Sequence, residues 1–228
     1  MHWLKQFNRV QWATLVALIF HLVGLLGILI GNRSCFSSLT VWNLCLMFGL
    51  LVFTESAINR KFLLFVILCW LIGIGAEIIG TRTGYLFGHY HYTDTLGVKF
   101  MGVPLIIGIN WFVVVYAAGN TMEILLTKIS EGQTYNAWNK SMKILSLLID
   151  GALLATCFDW LMEPVAVKLD YWKWDSEVIP FYNYLCWFLL SVLLLALFRA
   201  CKINGQNRFA LHLLMIQSSF FLLLRILM

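Results

Sequence analysis

Charge is what this sequence lacks most. Asp, Glu, Lys and Arg make up 12% of its 228 residues, 61% are hydrophobic, and the mean hydropathy is +0.83. So few charges cannot solvate a globular surface, which excludes a soluble domain and makes lipid the solvent. Cysteines are few, and the six present (Cys35, Cys45, Cys69, Cys157, Cys186, Cys201) lie mostly inside apolar runs with no C-x-x-C pair. That spacing argues against a disulfide scaffold or a zinc site, and the residues read as small hydrophobes. The formal net charge of +5 is modest and needs no nucleic acid to explain it.

What is abundant is apolar sequence in long runs. A helix crosses a hydrocarbon core of about 30 Å with roughly 18 to 20 apolar residues. Seven runs qualify: Val10–Ile30, Leu39–Ile58, Phe62–Gly80, Val103–Thr121, Ile144–Met162, Tyr182–Ala200 and Phe209–Met228. The expected fold is therefore all-α, a polytopic transmembrane bundle of about seven helices, with residues 1–228 forming a single integral membrane domain. The first run is too long for a signal peptide and lacks a small-residue cleavage motif before Gly31-Asn32-Arg33. Cations gather at Lys5 and Arg9, at Arg60 and Lys61, at Lys128, Lys140 and Lys143, and at Arg199, Lys202 and Arg208. The positive-inside bias makes these segments cytoplasmic, predicting an N-in, C-out topology in the cytoplasmic (inner) membrane.

Ionisable residues inside spans are costly and mark functional sites. Five carboxyls fall there: Glu55, Glu77, Asp150, Asp159 and Glu163. The third and fifth spans both run outward, so Glu77, Asp159 and Glu163 should converge near the outer third of the bilayer. Asp159 and Glu163 are spaced i,i+4, which puts them on one helical face about 6 Å apart. Asp150 is turned to the opposite face, roughly 14 Å deeper, and is set outside the site. Glu55, near Arg60 and Lys61, reads as a structural ion pair or a snorkelling side chain.

The two outer loops are dense in Tyr and Trp, which an interfacial aromatic belt would explain, and in glycines at 80, 84, 88, 97 and 102, which it would not. Each follows an acidic helix end and closes on a proline, Pro104 or Pro180, with a tryptophan seven residues later, Trp111 or Trp187. This pattern reads as a worn parallel repeat of helix pairs with a site at their junction. His89 and His91 form an H-x-H pair without an evident third ligand, so no metal site is expected. His21 and His212, isolated on apolar helices, read as packed or hydrogen-bonded to a neighbour.

Glu77-x-x-Gly80, Thr83-Gly84, Phe87-Gly88-x-Tyr90-x-Tyr92, Leu96-Gly97 and Gly102-Val103-Pro104 are followed by Asp159-x-x-x-Glu163-Pro164, Trp172-x-Trp174, Pro180-x-x-Asn183 and Trp187. This pattern, from about Ile74 to Trp187 (the signature region, 74–187), resembles the carotenoid biosynthesis membrane family of CruF-type carotenoid 1,2-hydratases and haloarchaeal bisanhydrobacterioruberin hydratases. The resemblance implies a multi-pass hydro-lyase that adds water across the terminal C1–C2 double bond of an acyclic carotenoid end group, giving a tertiary alcohol. Lycopene, gamma-carotene or a bacterioruberin precursor would be the type of substrate, reached from the lipid bilayer through a lateral opening between helices. The two histidines are not part of the pattern.

Such a hydration needs a proton donor, a wall that tolerates a tertiary carbocation and a positioned water, and no redox cofactor or metal. A carboxylic acid kept neutral by an apolar surrounding can be the donor. On this reading Asp159 or Glu163 protonates the alkene and Glu77 orients the water and accepts its proton. The rings of Tyr90, Tyr92, Trp111, Trp172, Trp174 and Trp187 can each stabilise a desolvated cation by about 1 to 2 kcal/mol. Asn110 and Asn183 complete the expected substrate-binding set, and Arg82 would keep Glu77 charged. A proton-initiated lycopene-type cyclase would begin in the same way, and a transporter or non-enzymatic carotenoid-binding protein would use the carboxyls differently. A retinal receptor is disfavoured because the last span contains no lysine for a Schiff base.

Overall fold

The computed structural model describes residues 7–131, 140–176, 178–203 and 206–228; Lys5 lies outside them. Seven helical spans are long and apolar enough to cross a membrane. They are α1 (Arg9–Ile30), a broken second span made of α2 (Arg33–Ser38) and α3 (Thr40–Thr54), α4 (Arg60–Thr83), α5 (Ile106–Glu131), α6 (Lys140–Lys168), α7 (Phe181–Ala200) and α8 (Arg208–Leu227). Side chains set several boundaries. Asn8, Asn32, Asn59 and Asn207 each accept from backbone N–H groups at the start of α1, α2, α4 and α8, supplying the partners that a first helical turn lacks.

The centre of the bundle is α5, which touches α3, α4, α6, α7 and α8. Every residue from Trp111 to Ala118 is buried. The outer helices instead turn Leu, Ile, Phe and Trp outward: Ile30 is 83% exposed and Trp42 73%, a surface suited to lipid rather than water. Lipid gives little hydrophobic gain to helix pairing, so close fit must hold helices together. The α4–α5 contact shows this fit: a Cβ on Gly73 would lie 2.7 Å from the Trp111 ring, and one on Gly108 would lie 2.4 Å from the Trp70 ring. Each indole fills the notch left by a glycine on the other helix.

The fifth span departs from expectation. Helix α6 does not end at Met162 but continues through Pro164 to Lys168. Proline has no N–H, so it cannot bond the carbonyl four residues earlier, that of Trp160. Arg225 on α8 supplies the missing donor: its Nη1 lies 2.7 Å from the Trp160 carbonyl oxygen, and its guanidinium stacks 3.9 Å from the centre of the Trp160 ring. Glu55 also differs from expectation. It ends α3, and its carboxylate accepts from the Tyr116 hydroxyl and from the N–H groups of Ser56 and Ala57, at 2.9 and 3.2 Å. Chain reversal after Thr54 points it at its own backbone rather than at Arg60 or Lys61.

On the face where α4 and α6 end, the two aromatic loops join. Strand β1 (Tyr90–Tyr92) pairs antiparallel with β4 (Trp172–Trp174), matching Tyr90 to Trp174 and Tyr92 to Trp172. A small hairpin of β2 (Lys99–Phe100) and β3 (Val103–Pro104) leads into α5. Lys99 ties this cover down by donating to the Tyr92 carbonyl at 2.9 Å and to Asp94 at 2.7 Å, and its ammonium holds the Asp94 carboxyl below the usual carboxylate range.

Replacing Arg225 by Leu should lower stability by about 1–3 kcal/mol, because it leaves the Trp160 carbonyl without a donor in apolar surroundings. In a Pro164→Ala background, where the new residue's own N–H can bond that carbonyl, the same replacement should cost much less. Thermal unfolding of the four proteins in detergent measures both, and equal losses in the two backgrounds would refute the role given to Arg225.

Candidate functional site

Three carboxyls meet beneath the aromatic strands. Asp159 is fully buried, and Glu163 and Glu77 are 3% and 4% exposed. Glu77 leaves α4 shortly before its left-handed cap at Gly84 (φ 68°), where a Cβ would lie 2.3 Å from the His89 ring. Asp159 and Glu163 share one face of α6. The chain enters β1 through Phe87, a non-glycine residue at φ 66° whose buried ring lies at the chamber wall.

Strand alternation decides what reaches the carboxyls. Tyr90 and Tyr92 point inward and His91 outward, because successive side chains of a strand alternate faces. Both phenols donate to Glu77 Oε2, Tyr92 at 2.8 Å, and the Trp111 indole donates to Glu77 Oε1 at 3.0 Å. On β4, the indoles of Trp172 and Trp174 donate to Glu163 Oε2 at 3.0 and 3.1 Å. Asn183, in the first turn of α7, offers its amide to Asp159 Oδ2 at 3.0 Å and to Glu163 Oε1 at 3.4 Å. Asp159 Oδ1 is buried without a partner among the described residues.

Donors are thus shared unequally. Among the described residues, Glu77 and Glu163 each receive three and Asp159 one, and no Lys or Arg pairs with any of them. Hydrogen bonds to a carboxylate favour its charged form, and neighbouring negative charges disfavour one another. Asp159 is thus the carboxyl that the described donors serve least.

The carboxyls, Tyr90, Tyr92, Trp172, Trp174, Asn183, Asn110 and Trp187 line a chamber of about 20 Å³. Trp111 stands behind its wall, stacked on Trp187 with ring centres 3.8 Å apart. The halves correspond: α4, β1 and α5 furnish Glu77, two tyrosines and Trp111, and α6, β4 and α7 furnish Glu163, two tryptophans and Trp187.

Arg82 does not join them. Five residues past Glu77 is a turn of about 500°, or 140° around the helix, and Arg82 is exposed outside the chamber. Asp150 is likewise outside, accepting from the Ser146 hydroxyl. His91 lies 3.7 Å from Asp175 at the surface. His212 meets the Thr14 hydroxyl at 2.8 Å, and His21 bonds the Ala17 carbonyl at 2.7 Å.

Beside the chamber is an apolar cavity of about 340 Å³, lined chiefly by α1, α3, α6 and α8; sequence reasoning expects a lateral opening but does not say which helices form it. Phe20, Val23 and Trp42, all largely exposed on the lipid side, form part of its wall. Its inner end shares Ile107, Asn110, Met162 and Trp172 with the chamber. His21, Asn43 and Gln217 also line it; three polar residues on otherwise apolar spans were the available signal.

Fold and site define a multi-pass membrane protein with a buried chamber of three carboxyls beside an apolar cavity. The family model described as carotenoid biosynthesis protein matches residues 36–228, and the chain belongs to that family. It is similar to the bisanhydrobacterioruberin hydratase of Haloarcula japonica, with 25% identity over 195 residues, 80% of this chain and 63% of that relative's length. No solved structure matches the chain.

Replacing Asn183 by Leu should remove the one donor to Asp159 found among the described residues and destabilise the protein by about 1–3 kcal/mol. Tyr182→Phe, one residue away, loses a bond from an exposed hydroxyl to the Tyr85 carbonyl and should stay within about 0.5 kcal/mol of the parent. Melting curves in detergent compare them, and similar midpoints would show that the amide contributes nothing special.

Proposed function

We propose that the chain is a carotenoid hydratase, a hydro-lyase adding water across the terminal C1–C2 double bond of an acyclic carotenoid end group without a cofactor. The observation that carries this reading is the unequal hydrogen bonding of three buried carboxyls beside an apolar cavity. Asp159, nearly without donors, is the acid: its O–H gives a proton to the less substituted alkene carbon, and the cation forms at the more substituted one. Glu163, one turn away, is charged and keeps the proton on Asp159 until the alkene arrives. Glu77, held as a carboxylate by two phenols and an indole, faces the cation and takes the proton released when water attacks. The proton then returns to Asp159, so acid and base are both restored.

A hydrocarbon chain is itself a bilayer solute, so the substrate enters sideways, past Trp42 and Phe20, and lays its reactive end against the four residues shared by cavity and chamber. The similarity to a bisanhydrobacterioruberin hydratase and the family match both support a carotenoid as that solute. The orientation we propose is N-in, C-out in the cytoplasmic membrane, since the cation-rich ends of the spans lie opposite the aromatic face.

Expressed in bacteria that accumulate lycopene or a monocyclic carotene, the protein should produce a pigment heavier by the mass of one water. Asp159→Asn should reduce its yield by about 100-fold or more, as expected for loss of a general acid. Mass spectrometry of the pigment extract reads both. A new pigment of unchanged mass would replace the hydratase with a cyclase, and full activity in the variant would remove Asp159 from the acid's role.

A further inference from the structure

Four residues separate the carboxyl chamber from the apolar cavity, and three of them offer nothing to a water molecule. Ile107 and Met162 are apolar, and the Trp172 indole already donates to Glu163. The fourth is Asn110, near the start of α5 and 8% exposed. Its side-chain amide has no hydrogen-bond partner among the described residues. Its amide atoms are not sealed within the protein; they lie on the boundary between cavity and chamber, which a substrate's reactive end must reach. The chamber behind it, about 20 Å³, fits a single water molecule, which needs roughly 10–15 Å³ by this measure, and is far too small for an end group.

We propose that Asn110 holds the nucleophilic water at the mouth of the chamber and so determines that the carbocation is captured by oxygen. The assignment rests on the hydration reading above and adds to it the residue that selects the outcome. The Asn110 carbonyl accepts one hydrogen of the water, whose other hydrogen points toward the carboxylates. One lone pair is left aimed at the cavity. After Asp159 has protonated the alkene, that pair forms the new C–O bond, and a water proton passes to Glu77. Atoms and charge balance as the addition of one H2O. Without the held water, the same cation loses a proton from an adjacent carbon, either directly, reverting to an alkene, or after closing onto an internal double bond; both outcomes leave the carotenoid without added oxygen and, in D2O, labelled with deuterium.

The test is to supply an acyclic carotenoid to membranes containing the full-length protein in D2O and follow both hydrated product and deuterium in recovered substrate by mass spectrometry. The parent should hydrate the substrate and leave the remainder nearly unlabelled, because capture outruns proton return. Asn110→Leu should lower hydration by about 100-fold, the size of effect expected when a reactant is no longer positioned, while recovered substrate gains deuterium. Asp159→Asn should do neither. Asn110→Ser, smaller and still polar, should recover part of the hydration and guards against a leucine variant that fails to fold. Hydration at the parent level in Asn110→Leu would overturn the proposal. So would a folded Asn110→Leu with neither hydration nor exchange, since Asn110 would then act before the cation forms. A parent protein that neither hydrates nor exchanges would instead overturn the hydratase reading, and this proposal with it.

Discussion

Three carboxyl groups buried among apolar helices, with no cation among the described residues paired to any of them, are the constraint around which the rest of this structure is organised. Ionised carboxylates are not tolerated in such a setting unless donors surround them, and here most of the donors come from the loops and the helix ends. Two phenols, three indoles and one amide are brought in by the aromatic strands and by the opening turns of α5 and α7. The aromatic strands therefore do more than mark a membrane interface. They are the solvation shell of the carboxyls.

The supporting structure follows from that requirement. The indole of Trp111 reaches Glu77 because Gly73 lets α4 approach α5 closely. Helix α6 carries Asp159 and Glu163 on one face by their spacing and continues past them through Pro164, where Arg225 bonds the carbonyl that proline leaves free. A cation near the end of α8 thus helps to hold a turn of helix directly beside the site, although it touches none of the three acids.

The spans and the meeting of the carboxyls were legible in the sequence because both follow from simple periodicities: long apolar runs, and a rise and rotation per residue that place Asp159 beside Glu163 and Asp150 away from them. That same rotation carries Arg82 away from Glu77, so closeness in the chain was a poor guide to closeness in space. The end of α6 was harder to read because proline usually stops a helix, and the donor that rescues this one lies 65 residues from the carbonyl it bonds. The pairing of β1 with β4 and the stacking of Trp111 on Trp187 are contacts between distant segments, hinted at only by matched spacings. The position of the apolar cavity left little trace, since its walls are mostly ordinary lipid-span residues from several helices, with His21, Asn43, Asn110 and Gln217 among the few polar ones.

The antiparallel register of β1 and β4 has an evolutionary consequence. Tyr90 faces Trp174 and Tyr92 faces Trp172, so each ring that serves Glu77 packs beside one that serves Glu163. A change in one ring disturbs the donor geometry of both acids at once. The two halves, however they arose, are no longer free to drift independently: substitutions at these four positions must be accepted in cross-strand pairs, and a lineage altering the chemistry of one carboxyl would carry the other along with it.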